Sequence, residues 1–211
     1  MKRLTYSILA LIISISSIQA QKAADAEKLI TNFLTNAKTN AIKTNFKLTV
    51  TEKNAVNLQS SSGSFTMKGN KFVLEMDQLK AWYDGKTQWS YMVDNNEVSI
   101  TEPTDKELGE TNPMALLSNY KAKFGIRFSK TKSAQNHIIE MIPKVKNDDF
   151  SKVEVSLNKA NGNLSSIKIS DKKGKTTNLI VTNFQKGIRV ADNIFTFDKS
   201  KYKGVLINDL R

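Results

Sequence analysis

A two-residue beat runs through most of this chain of 211 residues, and no other feature constrains its fold as tightly. Phe46, Leu48 and Val50 alternate with Lys47, Thr49 and Thr51. The same alternation returns at Phe65 and Met67, at Phe72, Leu74 and Met76, at Trp89, Tyr91 and Val93, and at Phe124, Ile126 and Phe128. It continues at His137, Ile139 and Met141, at Val153, Val155 and Leu157, at Ile167 and Ile169, and at Leu179 and Val181. Successive side chains of a strand point to opposite faces, so each run predicts a strand with one apolar face. Gly69-Asn70, Asp84-Gly85, Asn95-Asn96, Asn161-Gly162 and Lys173-Gly174 punctuate the runs. Such pairs tolerate positive φ and mark hairpins. About ten short strands joined by tight turns predict a mainly β fold with a small α component, one large curved antiparallel sheet or a partly closed barrel.

Two segments break the beat. From Asp25, the residues Ala26, Leu29, Ile30, Phe33, Leu34 and Ala37 recur at spacings of three and four, which predicts a helix with one apolar face. Glu27, Lys28 and Asn32 occupy its other side, so the apolar face must lie on another element. Further on, Asn112 suits a helix N-cap and Pro113 the first helical position. Met114, Leu117 and Tyr120 then share a face, which predicts a short helix over 112–120 after the polar stretch 102–111. Two helices beside one curved sheet would cover its open side.

Ahead of the first helix, Lys2 and Arg3 precede an apolar run over 6–18, and Ala20 is a small residue suited to cleavage. The segment 1–20 reads as a secretory signal, too short to span a bilayer comfortably, with an uncleaved membrane anchor as the alternative. The mature protein, 21–211, is expected to be a single exported domain, free rather than lipid-anchored. The chain has no cysteine, which removes disulfides, thiolate metal sites and a lipid-attachment cysteine. The net charge of +12 admits nucleic acid or anionic lipid as partners. An exported protein rarely meets nucleic acid, however, and the lysines are dispersed along the chain as on a solvated surface.

Catalytic chemistry has little to stand on. The single histidine, His137, sits inside a predicted strand, and no serine lies in a nucleophile elbow. One histidine without cysteine makes a poor zinc site. Asp148, Asp149 and Asp171 fall in polar, turn-like segments where solvated charge is the default, although a glycosidase-like carboxylate pair stays open as an alternative. There is no phosphate-cradling glycine loop and no dinucleotide fingerprint. The expectation is a protein that is not an enzyme and needs no cofactor or metal. What the chain does carry is a store of large, flexible apolar groups. Each one alone reads first as core. Together they exceed what two helices can cover on one large sheet, and an unfilled apolar concavity is a ligand cavity. Met67, Met76, Met92, Met114 and Met141 would be adaptable liners.

Several stretches together resemble the motifs of one family. Gly63-Ser64-Phe65-Thr66-Met67-Lys68-Gly69-Asn70-Lys71-Phe72 is similar to its strand pair opening on glycine and closing on phenylalanine. Asp84-Gly85-Lys86-Thr87-Gln88-Trp89-Ser90-Tyr91 resembles its D-G-K-x-x-W-x-Y hairpin. Asn112-Pro113-Met114-Ala115-Leu116-Leu117 resembles its N-P-x-x-L-L helix, and Phe195-Thr196-Phe197 its closing F-x-F strand. The chain thus resembles the LolA family of periplasmic outer-membrane lipoprotein carriers, and the likeness covers nearly all of the mature chain. It implies an unclosed antiparallel barrel of about eleven strands, covered by the N-terminal helix and a short lid helix. It also implies a lumen that holds lipoprotein acyl chains, loading by an inner-membrane ABC lipoprotein-releasing complex and delivery to the outer membrane, with the acceptor there left open. Carried over by motif, Phe65, Met67, Phe72, Leu74, Met76 and Trp89 would line the lumen, and Met114 and Leu117 would belong to the lid. Phe46, Leu48 and Tyr91 join them as candidate acyl-chain contacts. One departure stands out. Many members have Arg-Pro where this chain has Gly69-Asn70, so a lid latched by that arginine is not expected here.

Elementary energetics suits a carrier. Exposing one methylene costs about 0.8 kcal/mol, so a chain of about sixteen carbons costs roughly 13 kcal/mol. Full burial of three such chains would exceed the practical ceiling of roughly 20 kcal/mol for noncovalent affinity, and the load could never leave. Binding must therefore be incomplete or be offset, for instance by displacing the helix at 112–120 from the lumen on loading. The rival readings are a periplasmic lipid sensor or a carrier of another lipid on the same scaffold, and behind them an enzyme.

Overall fold

The computed structural model describes residues 2–52, 59–104, 107–108, 117, 120–145 and 150–211, with 2–20 and 59 described by backbone alone. It opens with α1 (Lys2–Thr39), a helix that extends back from Asp25 through the segment read as a signal. Among the described residues, twelve strands follow. The first six are β1 (Ala41–Thr51), β2 (Gln59–Lys68), β3 (Lys71–Met76), β4 (Leu79–Tyr83), β5 (Gln88–Met92) and β6 (Glu97–Thr101). A short helix, α2 (Tyr120–Lys123), leads into β7 (Phe124–Phe128). Then come β8 (Asn136–Pro143), β9 (Phe150–Asn158), β10 (Leu164–Asp171) and β11 (Thr176–Ile188). Two 3-10 turns, Asp192–Phe195 and Lys199–Lys201, precede β12 (Leu206–Asp209).

All the strands form one sheet in the order β12-β6-β5-β4-β3-β2-β1-β11-β10-β9-β8-β7. β12 and β7 stay at its two edges, so the sheet is an unclosed barrel. Neighbours pair antiparallel except β12, which runs parallel to β6. The register of β1 against β11 shifts at Ala41/Ile42 and at Asn45/Phe46. Such bulges bend a strand and raise its twist, which curls the middle of the sheet.

The twelve described strands agree with the expected count of about eleven, the tail supplying β12, whose residues are all exposed. One expectation needs correction: Phe195 and Phe197 do not form a closing strand. Phe195 ends a 3-10 turn and is fully buried, and Phe197 packs on Trp82 with ring centroids 5.5 Å apart.

One half of the inner face is a sealed core. The stripe Ala26, Ile30 and Phe33 of α1 packs on Ile139, Met141, Val153, Val155, Leu157 and Ile167 of β8–β10. The Thr31 and Tyr120 hydroxyls, 2.6 Å apart, and a Lys121–Glu27 ion pair of 2.8 Å tie α1 to α2. The outer face of β4–β6 carries a separate cluster of Trp82, Tyr91 and Val98, covered by Phe197, Tyr202 and Val205 of the C-terminal segment.

Candidate functional site

The other half of the inner face is an apolar wall on β1–β4. Phe46 of β1, Phe65 and Met67 of β2, Phe72 and Leu74 of β3, and Ala81 and Tyr83 of β4 form one cluster. Pairing explains why they meet: Phe65 lies opposite Leu74, Met67 opposite Phe72, and Phe72 opposite Tyr83. The rings of Phe65 and Phe72 stack at 5.6 Å, and those of Phe72 and Tyr83 meet at 5.5 Å. Gly63 makes room for the wall, since Phe46 faces it across the strands and a Cβ there would stand 2.8 Å from the Phe46 ring. Leu48, Met76, Leu79 and Leu179 extend the wall and are half-buried.

The structure divides the sequence-derived contacts three ways. It brings Phe46, Leu48, Phe65, Met67, Phe72, Leu74 and Met76 together on this wall. It places Trp89 and Tyr91 elsewhere. Trp89 pairs with Trp82 across the hairpin, and both face outward with Val73, away from Phe72. Tyr91 packs on Tyr202 at 4.6 Å, and its hydroxyl donates to the Asn96 Oδ1 at 3.1 Å. Their assignment to the lumen is therefore corrected: the turn at Asp84 pairs Tyr83 with Gln88, and that parity turns Trp89 outward. Leu117 is fully buried but packs with the helix-covered core, and Met114 lies outside the described residues.

Between β6 and β7, Leu108 packs on the wall, and Leu117 packs in the sealed core. Sequence reading took 102–111 as merely polar and missed Leu108. The signal was present as a capping box. The Glu107 carboxylate accepts from the Thr104 N–H at 2.8 Å, and the Glu107 N–H donates to the Thr104 hydroxyl at 3.4 Å. These bonds from the Thr104 backbone and hydroxyl hold the Glu107 carboxyl below its usual range.

A groove of about 490 Å³ opens beside the wall, between α1, the β9–β10 turn and the end of β11. That lies within the roughly 300–1,000 Å³ of ordinary ligand sites. Phe33, Ile42, Leu157 and Phe184 contribute its apolar floor, and Phe184 touches both the sealed core and the wall. Sequence reading did not single out this groove, because its floor comes from four separate elements.

The turn at Gly69-Asn70 is tight, with Gly69 at φ +64°. The flanking Lys68 and Lys71 both donate to Asp192, each at 2.8 Å, and join this turn to the C-terminal segment. His137 lies in β8 beside Phe128, with ring centroids 5.9 Å apart. Among the described residues, no cluster of three or more potential metal ligands occurs.

An unclosed, mostly antiparallel barrel with an apolar inner wall and a helix across one half defines a class of proteins with a hydrophobic interior reachable from outside. Comparison with known proteins gives the family. The model described as "Outer membrane lipoprotein carrier protein LolA" matches residues 16–175, and the chain belongs to that family. The outer-membrane lipoprotein carrier protein of Shewanella oneidensis is 30% identical over 187 residues, 87% of this chain and 84% of that protein. The protein of that name from Haemophilus influenzae is 25% identical over 179 residues, 83% of each chain. Among solved structures, an uncharacterized conserved protein from Thermus thermophilus shares the fold, with a TM-score of 0.58 at 12% identity over 88% of this chain and 99% of that one.

Proposed function

We propose that the protein is a periplasmic carrier that shelters the acyl chains of lipoproteins against the β1–β4 wall and takes them from the inner to the outer membrane. Family membership supports the carrier role. The observation that carries the acyl-chain reading is the contrast within the wall: Phe46, Phe65 and Phe72 are buried, while Leu48, Met76, Leu79 and Leu179 beside them stay half-exposed. An alkyl chain laid along those four removes both its own surface and theirs from water. Its work is carriage, not catalysis. Removal of 1–20 leaves Ala26, Ile30, Phe33 and Ala37, the buried face of α1, on the mature protein. The carrier works as a monomer, loaded by an inner-membrane ABC lipoprotein-releasing complex. The connection carrying Leu108 moves aside as cargo enters and partly offsets the burial energy, which keeps release feasible.

The test is mass spectrometry of protein purified from its own periplasm. Wild type is expected to carry acylated protein. The double variant Leu48→Glu with Met76→Glu places two carboxylates on half-exposed wall positions and is expected to carry about tenfold less, a loss worth about 1.4 kcal/mol. Wild type free of acylated protein, or equal loading of the folded variant, would retire the reading.

A further inference from the structure

The groove beside the wall has a feature that an acyl chain does not require. Its floor is apolar, but its two banks are lined with asparagine. Asn32, Asn36 and Asn40 line the α1 bank, and Asn161 and Asn163 line the bank formed by the β9–β10 turn. The side-chain amides of Asn32, Asn36 and Asn163 have no hydrogen-bond partner among the described residues. Each offers two donors and an acceptor. Lys186 is the one charged residue among the described residues that line the groove.

Spacing narrows the occupant. Asn32 and Asn36 are four residues apart in α1, so their amides stand roughly 6 Å apart, while Asn40 follows the helix and its amide already donates to the Asn36 carbonyl and the Thr39 hydroxyl. An extended peptide repeats every two residues, at roughly 6.6 Å. A pair of asparagines at this pitch can therefore meet two alternate peptide groups of an extended chain, donating to carbonyls and accepting from N–H groups. Phe184, on the floor, touches the wall cluster as well. Phe184 thus joins the groove floor to the wall.

Resting on the carrier reading above, we propose that this groove binds the extended peptide that follows the acylated residue of the cargo, reading its backbone through the asparagines and favouring neutral or acidic side chains through Lys186. The wall would then take any acyl chain, and the groove would distinguish a lipoprotein from a free lipid.

Calorimetric titration with two probes below their micelle concentrations tests this: dodecyl alcohol and an N-dodecanoyl pentapeptide. The peptide probe is expected to bind wild type about tenfold more tightly, as one or two net hydrogen bonds allow. Asn32→Ala with Asn36→Ala is expected to erase that gain and leave dodecyl alcohol unchanged. Alanine is the stronger helix former, so α1 is not weakened by the change. Lys186→Glu is expected to reverse a preference for an aspartate-bearing over a lysine-bearing pentapeptide. Equal affinity of the two probes for wild type, or a gain that survives the double variant, overturns this inference alone. An unchanged aspartate preference in Lys186→Glu overturns the role of Lys186. Failure of wild type to bind either probe overturns the carrier reading and this inference with it.

Discussion

The two halves of the inner face are built from the same kinds of residue and are finished differently. Under α1, Ile30, Ile139, Met141, Val153 and Val155 are all 0% exposed. On the β1–β4 wall, Phe65 keeps 8%, Leu74 7% and Met67 9%, and their neighbours Leu48 and Met76 are only half-buried. A helix stripe at spacings of three and four seals a sheet face by interdigitation. The wall has instead the end of α1 at Ala37 and the anchor Leu108. The first half supplies stability, and the second keeps apolar surface available. On the proposed carrier reading, that division lets one chain be folded and still take up hydrocarbon.

The sharpest way to break this comparison is truncation on both sides. Ile139→Ala opens a cavity in the sealed half and is expected to cost about 2–5 kcal/mol. Leu48→Ala on the wall removes a side chain that is already half in water and is expected to cost less than about 1 kcal/mol. Urea midpoints of the two variants measure both. Equal losses would mean that the wall is ordinary core. Next in size is Gly63→Ala, where a methyl group would stand 2.4 Å from the Glu75 carbonyl oxygen as well as against Phe46. The carbonyl belongs to the paired strand and cannot move aside alone, so an overpacking cost of about 1–3 kcal/mol is expected, read as a fall in thermal midpoint. The Phe46 ring would shift with it, so affinity for an alkyl probe is expected to fall in parallel. A folded variant with unchanged midpoint and affinity would show that the wall is looser than this geometry describes.

Much of this contrast was legible in the sequence, for a physical reason. Period-two alternation reports which residues share a face, and Phe65, Met67, Phe72, Leu74 and Met76 did come together. Alternation does not report which face is the inner one. Trp89 and Tyr91 have the same pattern as Phe72 and Leu74, but the C-terminal aromatics Phe197 and Tyr202 cover the outer side of that hairpin. β4 escaped notice for a related reason: Ala81, Trp82 and Tyr83 are all buried, so no alternation marks the strand. Leu117 has helical spacing with Tyr120 and was assigned to a lid. It belongs to the sealed half because Tyr120 is bonded to Thr31 of α1. The groove was illegible altogether, since Phe33, Ile42, Leu157 and Phe184 are far apart in sequence and meet through the curl of the sheet.

The smallest expected effect concerns how the wall side is held at its rim. Lys68 and Lys71 flank the β2–β3 turn and converge on Asp192, whose 3-10 turn packs against β3 and β4. Hydrogen bonds from Lys68 and then Lys71, together with their charges, lower the Asp192 carboxyl to about 2. A depressed carboxyl contributes stability that is complete above its ordinary value near 3.8 and fades as pH falls toward 2. Asp192→Asn removes that contribution, so the stability gap between wild type and variant is expected to be constant from neutral pH to about 4 and to close below it. The clamp is exposed, so the gap should be small and should shrink further in high salt. Acid titration of the denaturation midpoint at low and high salt measures both trends. A gap that widens on acidification would place the ionised clamp on the destabilising side and leave the rim held by Phe195 and Phe197 alone, through burial rather than charge.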